Sequence, residues 1–166
     1  MKHTLSVLVE DKPGALSRIS NLFARRGYNI ESLAVGQTER PGVSRITLRV
    51  DCGGEHTLEQ VTKQIHKLVN VLKITDLAPD EAVERELALI TVNAHPDRRG
   101  ELMAFADHYG ARVSDLGPQE IVFEMVGHPE DLDAFEELVR PYGIKEMVRT
   151  GRVGLSRAIR RDPASR

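Results

Sequence analysis

Between Glu10 and Ser32 the chain reads EDKPGALSRISNLFARRGYNIES, and few folds accommodate that order of signals. Ahead of it, Thr4 to Val9 alternates as a strand does, with Leu5, Val7 and Val9 on one face. A tight Pro-Gly turn then opens directly onto a helix that carries Leu16, Ile19, Leu22 and Phe23 on one stripe. Gly27 stops that helix as a left-handed cap, and a second strand follows. Pro13 suits the first helical position, where its missing N–H costs nothing. Gly14 leaves the N–H groups of Gly14, Ala15 and Leu16 unshielded, and such a helix start attracts anions, a carboxylate among them.

The rest of the chain repeats this order. Ile30 to Thr38, Val43 to Val50 and Val71 to Leu77 read as strands, and Leu58, Val61, Ile65 and Leu68 mark a second helix. CGGEH (52–56) reads as a loop. After the polar break APDEAVE, strands are expected at Leu87 to Ala94, Arg112 to Leu116, Glu120 to Val126 and Ile144 to Val148. Helices carry Leu102, Phe105, Ala106 and Tyr109, then Leu132, Phe135, Leu138, Val139 and Tyr142. Gly14-Ala15-Leu16 has its counterpart in Gly100-Glu101-Leu102, and Gly27 in Gly110. Each half is therefore a ferredoxin-like α+β unit of order βαββαβ, with both helices on one face of an antiparallel sheet. The other face is expected to be left bare, wet along Arg45, Thr47 and Arg49 and half-apolar elsewhere with residues such as Leu33 and Val35. Sheet edges in units this small invite pairing with a second copy about a two-fold axis. The divisions expected are 1–78, a linker at 79–83, 84–157 and a basic tail at 158–166.

Composition excludes several functions. The 166 residues have a net charge of −2, which gives nucleic acid no electrostatic hold. Val43 to Val50 has no aromatic for base stacking. Four Phe, three Tyr and no Trp point to an aliphatic core. Cys52 is the only cysteine, reads as inert, and fits a reducing compartment. No apolar run spans a membrane and no signal-peptide pattern opens the chain, so a cytoplasmic protein is expected.

Catalytic patterns are missing as well. No HExxH, Walker A, GxGxxG or GxSxG occurs, so neither a catalytic residue nor a metal ligand is assigned. His95-Pro96-Asp97 and His128-Pro129-Glu130 read as turns and helix starts, and the acids of DEAVERE and PEDLDAFEE as solvated helix faces. A small enzyme built on those two histidine turns is the contrasting possibility.

One binding arrangement remains. The helix start offers donors to a carboxylate, Asp11 offers an acceptor to an ammonium, and Asn29 with the Ile30 backbone is expected beside the turn. That set suits an α-amino acid. The same residues also serve a purely structural turn, and the sequence by itself leaves both open.

The stretch resembles the first strand, helix and second strand of an ACT domain. With GYNIESL (27–33), HKLV (66–69), VEREL (83–87) and VGLSR (153–157), the chain resembles the small regulatory subunit of acetolactate synthase from Leu5 to Arg157. The resemblance implies an ACT domain followed by an ACT-like domain, and a valine site between two ACT domains formed by Asp11, Gly14, Ala15, Asn29 and Ile30. Leu16 and Ser17 lie on the same helix turn. Asp11 stands where that family commonly has Asn. The resemblance further implies a homodimer and a large catalytic partner that makes acetolactate with thiamine diphosphate, Mg²⁺ and FAD. This chain would hold none of those cofactors, raise the partner's activity and confer inhibition by valine. A free-standing amino-acid sensor with another client is the alternative.

Overall fold

The computed structural model describes residues 2–51 and 55–158, apart from the side chains of Glu55 and His56. Cys52 and the tail from Ile159 onward lie outside the described residues. Two compact units form. One runs to Val83 and takes in the segment from Arg152, and the other spans Glu84–Gly151.

The first unit has the order β1 (Lys2–Glu10), α1 (Ala15–Arg26), β2 (Asn29–Gln37), β3 (Val43–Asp51), α2 (Glu55–His66) and β4 (Val71–Asp76). Its antiparallel sheet is ordered β2-β3-β1-β4. Leu5, Val7 and Val9 of β1 and Ile46, Leu48 and Val50 of β3 are at most 2% exposed, against Ile19 and Phe23 of α1 and Val61 and Ile65 of α2. Period-two and period-3.6 apolar stripes meet there as one core. Leu16, expected on the buried stripe, is 39% exposed. It sits on the flank of α1 that turns away from α2, beside Ser20.

The opposite face of this sheet is not wet, and Leu33 and Val35, expected on it, face Leu48 and Ile46 on the core side instead. Thr4, Ser6 and Thr47 lie on it and are 1%, 2% and 2% exposed. Arg45 and Arg49 lie down across it. Arg45 Nη1 donates to Ser6 Oγ at 2.6 Å and Arg49 Nη1 to Thr4 Oγ1 at 3.0 Å. Alternation correctly separates the two faces, but a long arginine stem covers neighbours that a short polar side chain would leave open.

The second unit repeats the plan: β5 (Ala82–Asn93), α3 (Arg99–Tyr109), β6 (Arg112–Leu116), β7 (Glu120–Gly127), α4 (Pro129–Val139) and β8 (Ile144–Arg149), with the path β6-β7-β5-β8. A short strand that the sequence reading does not contain, β9 (Val153–Ser156), lies in the segment from Arg152 that goes with the first unit. The expected linker is ordered structure: Pro79–Glu81 is a 3-10 turn and Ala82 already begins β5. The second core is not purely aliphatic. Phe123 and Phe135 are fully buried and meet edge to face at 5.6 Å, with Tyr109 against Phe135 at 5.8 Å. Five of the seven aromatics, Phe105, Tyr109, Phe123, Phe135 and Tyr142, belong to this unit.

Candidate site at the two ends of the first helix

The site begins where β1 leaves the sheet. Glu10 N–H donates to the Asn70 carbonyl and Asp11 N–H to the Gly42 carbonyl, both at 2.8 Å. Lys12-Pro13-Gly14-Ala15 then closes a turn, with Ala15 N–H donating to the Lys12 carbonyl at 3.2 Å. Gly14 has φ 85° and ψ −4°, the third-position geometry of a type II turn, which favours Pro before it and Gly at it. Pro13 is thus a turn residue and not the first helical residue. The Ala15 N–H, expected free, is taken by that turn. Gly14 is the N-cap, and its carbonyl accepts from Arg18 N–H at 3.0 Å. Among the described residues the N–H groups of Gly14, Leu16 and Ser17 have no backbone acceptor. The donor set at this helix start is therefore Gly14, Leu16 and Ser17.

A cluster unreadable from spacing fastens this turn. Glu10 pairs with Lys12 Nζ at 2.9 Å and accepts from Asn70 Nδ2 at 3.2 Å. The Lys12 hydrogen bond, then the Asn70 one, holds the Glu10 carboxyl below its ordinary value. Asn70 is 9% exposed, a polar side chain buried just ahead of β4. No local motif announces a partner 60 residues away. Asp11, next to this cluster, is exposed and makes no ion pair among the described residues.

Asn29 and Ile30 lie at the other end of the helix. Gly27 has φ 70° and donates to the Ala24 carbonyl, while Tyr28 N–H donates to the Phe23 carbonyl at 3.1 Å. This is a Schellman ending, with Tyr28 packed edge-on against Phe23. The chain then enters β2, where Asn29 faces Asp51 and Ile30 faces Val50. At the other end of β3, Val43 faces Glu10. The expectation that Asn29 and Ile30 stand beside the Pro-Gly turn is therefore corrected. The length of β3, about 27 Å at ~3.4 Å per residue, separates them from it. Sequence order misled because a helix returns the chain to the end of the sheet where β1 began. The structure groups Asp11, Gly14, Ala15, Leu16 and Ser17 at one end, and Asn29 with Ile30 at the other. Ile30 packs against the core, and a bulge follows it, so that Ser32 and not Glu31 faces Arg49.

The second unit builds the corresponding helix start differently. The cap glycines Gly27 and Gly110 are 83 residues apart, as are the bulge residues Val9 and Val92. That spacing puts Asp97 at the place of Gly14, Arg99 at that of Leu16 and Arg112 at that of Asn29. The expected match of Gly100 to Gly14 is wrong, since Gly100 is an ordinary helical residue without positive φ. Arg99, in the first turn of α3, ties the corresponding helix start to the neighbouring segments. Its Nε donates to the Ala94 carbonyl at 3.1 Å and its Nη2 to the Gly117 carbonyl at 2.9 Å and to that of Pro118.

The histidine turns are local structure. His95 Nδ1 bonds Asp97, which keeps the Asp97 carboxyl below its ordinary value. His128 is the N-cap of α4, with Pro129 in the first turn and Arg85 Nη1 3.2 Å from its Nε2. Among the described residues no group of three His, Cys, Asp or Glu side chains is placed to hold a metal ion. No helix among them is long and apolar enough to cross a membrane.

Twin βαββαβ units, each an antiparallel four-stranded arrangement with two helices, have the fold of ACT-type modules. The model of the AHAS small subunit-like ACT domain matches residues 5–73, and the model of the small subunit of acetolactate synthase matches residues 85–158. A probable acetolactate synthase small subunit from Archaeoglobus fulgidus is 46% identical over 157 residues, covering 95% of this chain and 98% of that protein. The acetolactate synthase small subunit of Mycolicibacterium smegmatis is 48% identical over 158 residues, covering 95% and 92%. The crystal structure of the acetolactate synthase small subunit from Thermotoga maritima superposes with a TM-score of 0.87 at 38% identity, covering 95% and 98%. The chain belongs to the acetolactate synthase small subunit family.

Proposed function

We propose that this chain is a non-catalytic regulatory subunit. It binds the large catalytic subunit of acetolactate synthase, raises its activity and carries feedback inhibition by valine. The large subunit condenses two pyruvates to acetolactate, or pyruvate with 2-oxobutyrate, with its own thiamine diphosphate, Mg²⁺ and FAD. Family membership supports the pairing with that enzyme.

One observation carries the effector site. The Gly14 end and the Asn29 end of α1 are too far apart to close on one amino acid within one chain. A two-fold axis beside β2 would bring the Gly14 end of one copy to the Asn29 end of the other, making two equivalent sites. β2 is an edge strand. Leu16 and Val35, 39% and 50% exposed, lie on that side of the unit. An edge strand and partly exposed apolar residues suit a homodimer seam. In each site the Gly14, Leu16 and Ser17 donors would take the valine carboxylate, Asp11 the ammonium, and the partner's Asn29 and Ile30 would close the opposite wall. Valine then acts by linkage, binding one state of the holoenzyme better and shifting its population.

The test is reconstitution. The chain alone should form no acetolactate from pyruvate, even with the three cofactors supplied. Added to the large subunit, it should raise acetolactate formation and make it sensitive to valine. Acetolactate formation by the chain alone would overturn the reading.

A further inference from the structure

A second feature of the first unit is left unexplained by the effector site. Between α1 and α2 lies an open groove of about 340 Å³, floored by Leu22 and Leu68 and rimmed by Arg18, Arg25, Arg26 and Gln64. It is on the flank of α1 opposite Leu16, so a seam along β2 would leave it uncovered. None of its lining residues is acidic. Arg18, Arg25 and Arg26 make no ion pair or side-chain hydrogen bond among the described residues. Arg45, Arg49, Arg99, Arg140 and Arg149, by contrast, all have acceptors.

We infer that this groove binds a compact phosphate-bearing anion of diphosphate size. Three guanidiniums in one cleft repel one another, and a cleft of one sign focuses its field on an incoming counter-charge. Guanidinium forks match phosphate oxygens in pairs. The volume falls in the range of small-ligand sites. A docked protein helix fits less well. Leu22 and Leu68 are packed into the core, which leaves no deep apolar holes for another helix's side chains. The inference stands apart from the proposed function, because no residue of the proposed valine site is involved.

The experiment is isothermal titration of the full chain with inorganic pyrophosphate and, separately, with ADP, at low and at raised salt. Saturable binding of pyrophosphate that weakens as salt rises is expected. Tighter binding of ADP would show that the groove also holds a nucleoside, and equal binding that the diphosphate alone is recognised. Arg18→Gln combined with Arg25→Gln should weaken binding by at least about tenfold, since two charge-assisted contacts are removed. Arg25→Glu is the second variant, should the double change disturb folding. Circular dichroism spectra and thermal melts of each variant report an intact fold. No saturable pyrophosphate binding by the wild-type chain, or undiminished binding by both variants, would overturn the inference. So would variants that lose only their hold on the large subunit while the wild-type chain takes up no pyrophosphate, which would make the groove a protein-docking surface.

Discussion

Gly14 caps the first turn of α1, and Asn29 lies two residues beyond the Gly27 that ends it, so twelve helical residues hold them apart. At ~1.5 Å per residue that is about 18 Å of helix. Substitutions at the two positions should therefore damage one proposed site from opposite walls, and the backbone sets how they are compared. With φ 85°, Gly14 has open space around a built side chain but a conformation that L-residues adopt at a cost. Gly14→Asn and Gly14→Asp should each lose about 1 kcal/mol of stability for that reason. Only Gly14→Asp also sets a carboxylate against the ligand's own. Its half-inhibition concentration for valine should rise at least about tenfold, for a loss of ~1.5–3 kcal/mol. Gly14→Asn should shift far less. The check is valine titration of holoenzyme activity beside thermal melts of both variants.

The second unit should bind no valine. Asp97 sets a carboxylate at the place of Gly14, where the ligand's own carboxylate would lie, and Arg112 stands where the first unit has Asn29. Equilibrium dialysis of the wild-type chain should then reach about one valine per chain, two per two-fold dimer. A plateau near two per chain would show a working site in the second unit.

Arg149 is the hub of the second unit's charge network. Its Nε and Nη2 bond both oxygens of Glu86 at 3.1 and 2.7 Å, and Nη1 reaches Asp133. The Glu86 side chain is 7% exposed, so removing the cation strands a nearly buried carboxylate. Arg149→Met should cost about 3 kcal/mol, and adding Glu86→Leu should recover most of it. Chemical denaturation of the single and double variants measures both.

Glu10 gives the turn a pH dependence. Its carboxyl is held below the ordinary glutamate value, chiefly by the Lys12 hydrogen bond. A depressed carboxyl contributes stability above its unfolded pKa and loses it as pH falls through the folded one. Glu10→Gln should therefore be less stable than wild type near neutral pH, with the gap closing as acid protonates Glu10. Melting temperatures from about pH 6 down to about pH 3 would show it, and a gap that stays constant would assign Glu10 no role in the turn.

Much of the fold is legible because apolar period and cap residues agree. Leu5, Val7 and Val9 bury as alternation demands, and Gly27 and Gly110 both close Schellman endings. What escaped is long-range. Nothing local tells Leu16 from Ile19, although one faces away from α2 and the other the core. Nothing in Arg45 or Arg49 shows that they would lie on Ser6 and Thr4. The site shows the same limit. Pro-Gly announces the donor loop, but Asn29's distance from it depends on strand register, which the sequence encodes only through the whole sheet. Asn70 and Arg99 carry no motif, because their role is to fill places that other segments create.

The claim that two copies share each effector site has a direct test. Gly14→Asp and Asn29→Asp chains, prepared separately and shown to be folded and unable to bind valine, are unfolded together and refolded as a one-to-one mixture. In a mixed dimer one site carries both substitutions and the other carries neither. Random pairing should restore about a quarter of the wild-type number of valine sites, at wild-type affinity. A site closed within one chain would be damaged in every molecule, and a mixture that binds no more valine than its separate components would contradict the shared site.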